Sequence, residues 1–250
     1  MKPARPVIPN WRDSAGGIRP LKILRLTGLQ PYEPVLHLQH RLVSARLSGT
    51  LETDALLLLQ HEPVFTLGHN GGRENLKVSD AFLRSRGIKV IKTKRGGNIT
   101  YHGPGQVIVY PIVNLRAARV KVTEYVNALE EALIRTAVAY GIPAHRNPPH
   151  PGVWVGEKKL GSIGIAVRHG VTYHGAALNV NLSLAPFRWI IPCGLEGVEM
   201  TSLKDAGALH VTCTEVMDLL SRHIKKTFGA KERATGNKTQ CPVSDGLSSS

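Results

Sequence analysis

The stretch from Gly152 to Gly194 limits the fold more than any other part of the chain. It contains three β-prone segments, Val153–Val155, Ile163–Val167 and Ala177–Val180, separated by glycines where the backbone turns or approaches another group closely. Lys159 stands just before a run of small residues that a ligand can approach, and Cys193 lies between Pro192 and Gly194 in a turn setting. A thiol nucleophile and an amine held by separate turns are the parts of a covalent acyl-transfer site. Taken singly, the same residues have plainer roles. A lone cysteine usually fills a core, and a lysine usually faces solvent.

On either side of this stretch, the spacing of apolar residues sets the element type. Lys22–Leu26 reads as a strand, and Tyr32–Leu47 predicts an amphipathic helix with Val35, Leu36, Leu38, Leu42, Val43 and Leu47 on its apolar side. Ala55–Gln60 predicts a hydrophobic strand that turns at Pro63 into a second one, with His61 and Glu62 as its polar end. Asp80–Arg86 reads as a short helix closed by Gly87, and Ile88–Lys92 as a strand. Lys92, Lys94 and Arg95 then lead into Gly96-Gly97, which presents backbone N–H groups beside positive charge and suits a phosphate or a carbonyl oxygen. No Lys-Ser/Thr pair follows at Walker spacing. Asn98–His102, a Gly103-Pro104-Gly105 turn and Gln106–Pro111 together predict a β-hairpin. Val122–Tyr140 predicts a second helix ended by Gly141, and Thr214 a cap for a third that carries Val216, Met217, Leu219, Leu220 and Ile224. Mixed strands and three helices place the chain in the α/β (α+β) class.

Composition narrows the function classes. A 250-residue chain that is 42% hydrophobic and 20% charged supports one sizeable core rather than disorder, and no apolar run reaches membrane-span length. Its three cysteines (Cys193, Cys213 and Cys241) lack metal-site or disulfide-scaffold spacing, which points to a reducing compartment and no metal. A net charge of +14 favours acidic partners. Nucleic acid is a weak candidate: aromatic content is 5%, zinc-finger spacing and RNP-like strands are absent, and the GxxG at Gly161–Gly164 is a short pattern without context. Residues 1–20 read as a flexible basic arm, because prolines at positions 3, 6 and 9 spoil a transit-peptide helix. Residues 21–230 read as one catalytic domain, and 231–250 as a disordered polar tail.

Four strings taken together carry a resemblance. Arg95-Gly96-Gly97-Asn98-Ile99-Thr100-Tyr101-His102, Lys159-x-x-Ser162-Ile163-Gly164, His174-Gly175-Ala176-Ala177-Leu178-Asn179 and Pro192-Cys193-Gly194 resemble the lipoyl(octanoyl) transferase family of lipoate synthesis, over roughly Leu24 to Phe228. The resemblance implies a catalytic domain of the biotin/lipoate protein ligase type, a mostly antiparallel mixed sheet flanked by helices. It implies octanoyl or lipoyl transfer from acyl carrier protein to a lysine of lipoyl domains, those of the 2-oxoacid dehydrogenases and the glycine cleavage H protein. In that scheme Cys193 is the nucleophile and Lys159 its partner. Arg95–His102, Ser162–Gly164 and His174–Ala176 form the substrate wall. The expected setting is the cytoplasm, or a mitochondrial matrix, with no cofactor, membrane or nucleic acid. An ATP-dependent lipoate or biotin ligase of the same fold is the alternative, although Pro192-Cys193-Gly194 and His102-Gly103 favour the transferase. A non-enzymatic nucleic-acid binder is the remote one.

Overall fold

A computed structural model describes residues 20–192, 197–229 and 231–232. Two sheets share the core. The larger is assembled from β1 (Pro20–Gln30), β2 (Asp54–His61), β6 (Gln106–Ile112), β7 (His145–Arg146), β8 (Val153–Val155), β9 (Lys158–Arg168), β10 (Val171–Asn179) and β11 (Lys231–Glu232). Its spatial order is β11-β1-β2-β6-β10-β9-β8-β7. The smaller orders β4 (Lys89–Lys92), β3 (Val64–Leu67) and β5 (Ile99–His102) side by side. Pairing is antiparallel except at β1–β2, β1–β11 and β3–β4, so the mixed α+β architecture is the one expected.

The leucine run of β2 shows why the large sheet needs cover on both faces. Leu56 and Leu58 point towards α4 (Val122–Ala139) and α5 (Cys213–Thr227), joining Leu129, Leu133, Val216 and Leu220. Leu57 and Leu59 point the other way, towards Val35, Leu38 and Leu42 of α1 (Tyr32–Ser48). All four leucines are fully buried, and each contributes about 2 kcal/mol by leaving water. The small sheet has its own core, in which Phe65, Tyr101 and Phe187 pack with Leu83 of α2 (Asp80–Arg84); the remaining short helix, α3 (Leu115–Ala118), follows β6.

Two expectations change. The strands around Gly103-Pro104-Gly105 do not form a hairpin: β5 pairs with β3 in the small sheet, whereas β6 pairs with β2 and β10 in the large one. The turn is held from outside, because the Gly105 carbonyl accepts from the N–H groups of Val180 and Asn181, and its own N–H donates to Gln60. The cap of α5 is Thr212 and not Thr214. Thr212 accepts from the Glu215 N–H while the Glu215 carboxylate accepts from the Thr212 N–H, the reciprocal box that a Thr-x-x-Glu spacing allows.

The arm assigned to residues 1–20 lies outside the described residues apart from Pro20, which opens β1. The tail assigned to 231–250 does so apart from Lys231 and Glu232, which extend the sheet. Among the described residues, no helix is long and apolar enough to cross a membrane.

Candidate active site

The chain passes from the large sheet to the small one between β2 and β3, and back again between β5 and β6. A narrow cavity of about 50 Å³ lies at this seam. On the small-sheet side it is lined by Arg95 and by Gly97 to Thr100, with His102. On the other side are Ser162, Ile163 and Gly164 of β9, with His174, Gly175 and Ala176 of β10. Of the expected wall residues, Gly96 and Tyr101 do not line it. Side chains alternate along a strand, and Tyr101 therefore faces Phe65 and Phe187 in the small core. Gly96 instead joins the two sheets, its N–H donating to the Ile165 carbonyl at 2.8 Å.

Three further residues line the cavity: Tyr32, Tyr110 and Ala177. Ala177 continues the His174 string. Tyr110 sits inside a strand of apolar residues and Tyr32 opens a helix, so neither carried a local signal; only the tertiary fold brings them here.

The cavity holds one permanent cation among neutral groups. Arg95 is buried, with its guanidinium donating to the Thr66 hydroxyl and carbonyl and to the Gly96 carbonyl at 2.6–3.1 Å. The nearby imidazoles are kept neutral. Burial pushes His174 down to about 3, helped by Arg95, His40 and His61. Burial, then His61, push His102 well below the ordinary histidine range, with Arg95 and His174 adding to the effect. Burial brings His61 down to about 4 against the pull of the Gln30 carbonyl, and raises Tyr32 to about 12. The hydrogen bonds are consistent with these states. His61 Nδ1 donates to the Gln30 carbonyl at 2.9 Å, which leaves Nε2 to accept from the Tyr110 hydroxyl at 2.9 Å. His61 is therefore buried at its strand end, held by two partners.

A polar chain leads from the cavity towards Lys159. His102 Nδ1 donates to Gln106 Oε1 at 2.8 Å, Gln106 Nε2 donates to Asn179 Oδ1 at 2.9 Å, and Asn179 donates to the Thr201 carbonyl at 2.9 Å. The Thr201 N–H in turn donates to the Lys159 carbonyl, and the Lys159 N–H to the Glu199 carbonyl. Lys159 is 3% exposed, unusual for a lysine. Its ammonium donates to the Pro151 carbonyl at 3.0 Å and sits 5.3 Å from the Trp154 ring centre. Gly152 makes room for it: a Cβ there would stand 2.7 Å from Lys159 Cε, and its φ of 135° is open only to glycine. Glu130 of α4 fixes Gly152 by accepting its N–H at 2.9 Å.

Cys193 lies outside the described residues. The chain on either side of it is anchored to different sheets. The Ile191 N–H donates to the Asn75 carbonyl and Ile190 bridges Leu76 on the small-sheet side, while Met200 bridges Lys159 on the large sheet. Among the described residues no group of three or more His, Cys, Asp or Glu side chains is placed to hold a metal.

Residues 31–225 match the lipoyl protein ligase A/B catalytic domain. Over 193 residues the chain is 48% identical to an octanoyltransferase of Desulfotalea psychrophila, covering 76% of this chain and 86% of that one. This chain belongs to the octanoyltransferase family. A second octanoyltransferase, from Caldicellulosiruptor saccharolyticus, is 45% identical over 204 residues, or 81% of this chain and 86% of its own. The fold extends further. A lipoate-protein ligase A solved with ATP superposes with a TM-score of 0.69 at 19% identity, covering 89% of this chain and 90% of that one. The bipartite lipoate protein ligase of Thermoplasma acidophilum gives 0.65 at 18%, covering 89% and 88%. This chain thus shares its fold with the two ligases.

Proposed function

We propose that this protein takes an octanoyl or lipoyl group from acyl carrier protein, holds it as a thioester on Cys193, and passes it to a specific lysine of a lipoyl domain. The acceptors are lipoyl domains of the 2-oxoacid dehydrogenases and the glycine cleavage H protein. Octanoyl transfer in protein lipoylation follows from family membership; the donor, the named acceptors, the intermediate and the residue roles are the proposal. One observation carries it. Three strings far apart in sequence, drawn from Arg95–His102, Ser162–Gly164 and His174–Ala176, converge on one narrow cavity whose walls are rich in glycine and alanine. Such walls let an extended acyl chain lie against backbone, and backbone N–H groups are suitable partners for an oxyanion.

The chemistry runs in two balanced steps. The Cys193 thiolate attacks the carrier thioester, the new carbon–sulfur bond forms as the old one breaks, and the carrier leaves as its thiol with the proton of the Lys159 ammonium, which leaves that amine neutral. The lipoyl-domain amine then attacks the Cys193 thioester, an amide forms, and the Cys193 thiolate is released. An ammonium at Lys159 favours the thiolate in the first step, and its neutral amine accepts the proton lost by the nucleophilic amine in the second. Exchange between similar thiols is nearly balanced and thioester aminolysis runs downhill, so ATP has no role. A working thiolate suits a reducing compartment, the cytoplasm or a mitochondrial matrix.

The test is intact mass after incubation with octanoyl-carrier thioester. The protein is expected to gain one octanoyl group without ATP, and Cys193→Ser to gain none. Acylation that appears only with free acid and ATP favours the ligase alternative. Label on Cys213 or Cys241 in a still-active Cys193→Ser protein overturns the site.

A further inference from the structure

His174 has a left-handed backbone (φ 55°) in the middle of β10, an uncommon state for a residue with a Cβ. Its neighbours show why. The β10–β6 ladder runs from Asn179–Gln106 to Ala176–Val109 and stops, then resumes in the same register where Val171 bridges Asn114. That register sets His174 opposite Pro111, which has no N–H to give. The Pro111 carbonyl is engaged by the Thr172 hydroxyl at 2.7 Å. The His174 N–H leaves the sheet and donates to Oε1 of Gln39 at 2.7 Å.

Gln39 is the polar residue within the buried face of α1, fully buried between Val35 and Val43. Tyr32, two turns earlier on that face, has its hydroxyl 3.5 Å from His174 Nδ1. Helix α1 therefore holds His174 by backbone and by ring. The Nε2 atoms of Gln39 and His174 are buried without a hydrogen-bond partner among the described residues. Of the Gln39 amide, only the oxygen has a hydrogen-bond partner among the described residues.

Position gives this grip a consequence. His174 pairs with Ile165 on β9, six residues beyond Lys159 in the same strand. Ser162 to Gly164 lie between. An acyl chain that starts from a carbonyl beside Lys159 and lies along Ser162 to Gly164 runs in the direction of His174.

We propose that Gln39 is a positioning residue for acyl-chain length: by accepting the His174 N–H it holds that imidazole across the far end of the cavity. The inference rests on the octanoyl-transfer reading. Without the acceptor, nothing offsets the left-handed backbone; His174 relaxes towards extended geometry, its ring swings aside and the far end opens.

The experiment compares kcat/KM for octanoyl- and decanoyl-carrier thioesters in wild type, Gln39→Met and Gln39→Glu. Methionine has similar size without the acceptor; glutamate keeps an acceptor oxygen and replaces only an Nε2 that has no hydrogen-bond partner among the described residues. The decanoyl-to-octanoyl ratio is expected to rise about tenfold in Gln39→Met, the scale of a methylene or two in an apolar pocket, through a higher KM for octanoyl. It should stay at the wild-type value in Gln39→Glu. Simple destabilisation lowers both donors alike, so an unchanged ratio in Gln39→Met overturns the inference. If that variant does not fold, hydrogen exchange of the wild-type His174 amide decides: slow exchange supports the contact, and exchange at open-loop rates removes it. A wild type that accepts no octanoyl group defeats the underlying reading and the inference together, whereas an active wild type with an unchanged ratio in Gln39→Met defeats the inference alone.

Discussion

Lys159 reaches its buried position through a neighbour that has no side chain. Gly152 leaves the space its Cε fills, Glu130 pins Gly152, and the Pro151 carbonyl accepts a hydrogen bond from the ammonium. Because the amine is held this closely, charge and proton exchange can be separated by substitution. Lys159→Arg keeps the positive charge, so Cys193 is expected to acylate, but arginine does not give up its proton and transfer to the acceptor lysine stalls. Acyl-enzyme should therefore accumulate, visible by mass, while product formation falls by about two orders of magnitude or more. Turnover at the wild-type rate would remove Lys159 from the role of base.

Among the elements, β10 carries the most stringent requirement. A Cβ at Gly175 would stand 2.2 Å from the Val109 carbonyl oxygen and 2.8 Å from Pro111 Cδ, both fixed in the neighbouring strand. Gly175→Ala is expected to cost about 1–3 kcal/mol in urea unfolding and to abolish transfer, because the strand lines the cavity; a fully active, equally stable variant would mean that β10 yields there. The elements themselves were largely legible. Apolar spacing located β2, α1, α4 and α5 to within a few residues, since that spacing is what the core selects. What stayed hidden was non-local. Nothing local in Asn98–Pro111 tells that its two strands join different sheets, because β3 and β2 choose the partners. Gln39 went unremarked beside the apolar residues of its helix, because its partner lies 135 positions away. The cavity strings were legible by resemblance to a family, whereas Tyr32 and Tyr110 needed the fold.

Across the whole molecule, charge and buried imidazoles set how conditions act. With a net charge of +14 and acidic partner proteins expected, association with acyl carrier protein should weaken steadily as ionic strength rises; an apparent Kd indifferent to salt would exclude electrostatic steering. Stability should depend on pH in one direction. The unfolded chain protonates His61 near 6.5, the folded chain only at about 4. Its contribution is whole above pH 6.5 and is lost progressively as pH falls towards 4, on the order of 2 kcal/mol by pH 5. His174, held at about 3, adds in the same sense. Urea midpoints that are level between pH 7.5 and 5 would show that these rings carry protons in the folded state. The sheet order also has a consequence in time. Strand β6 is buried on both faces and stands between β2, made before it, and β10, made roughly 70 residues later, a lag of several seconds at ribosomal speeds of about 5–20 residues per second. Throughout that interval the nascent chain carries an apolar strand with one open edge. Synthesis on the ribosome, more than refolding of the finished chain, is when this protein most needs protection from its neighbours.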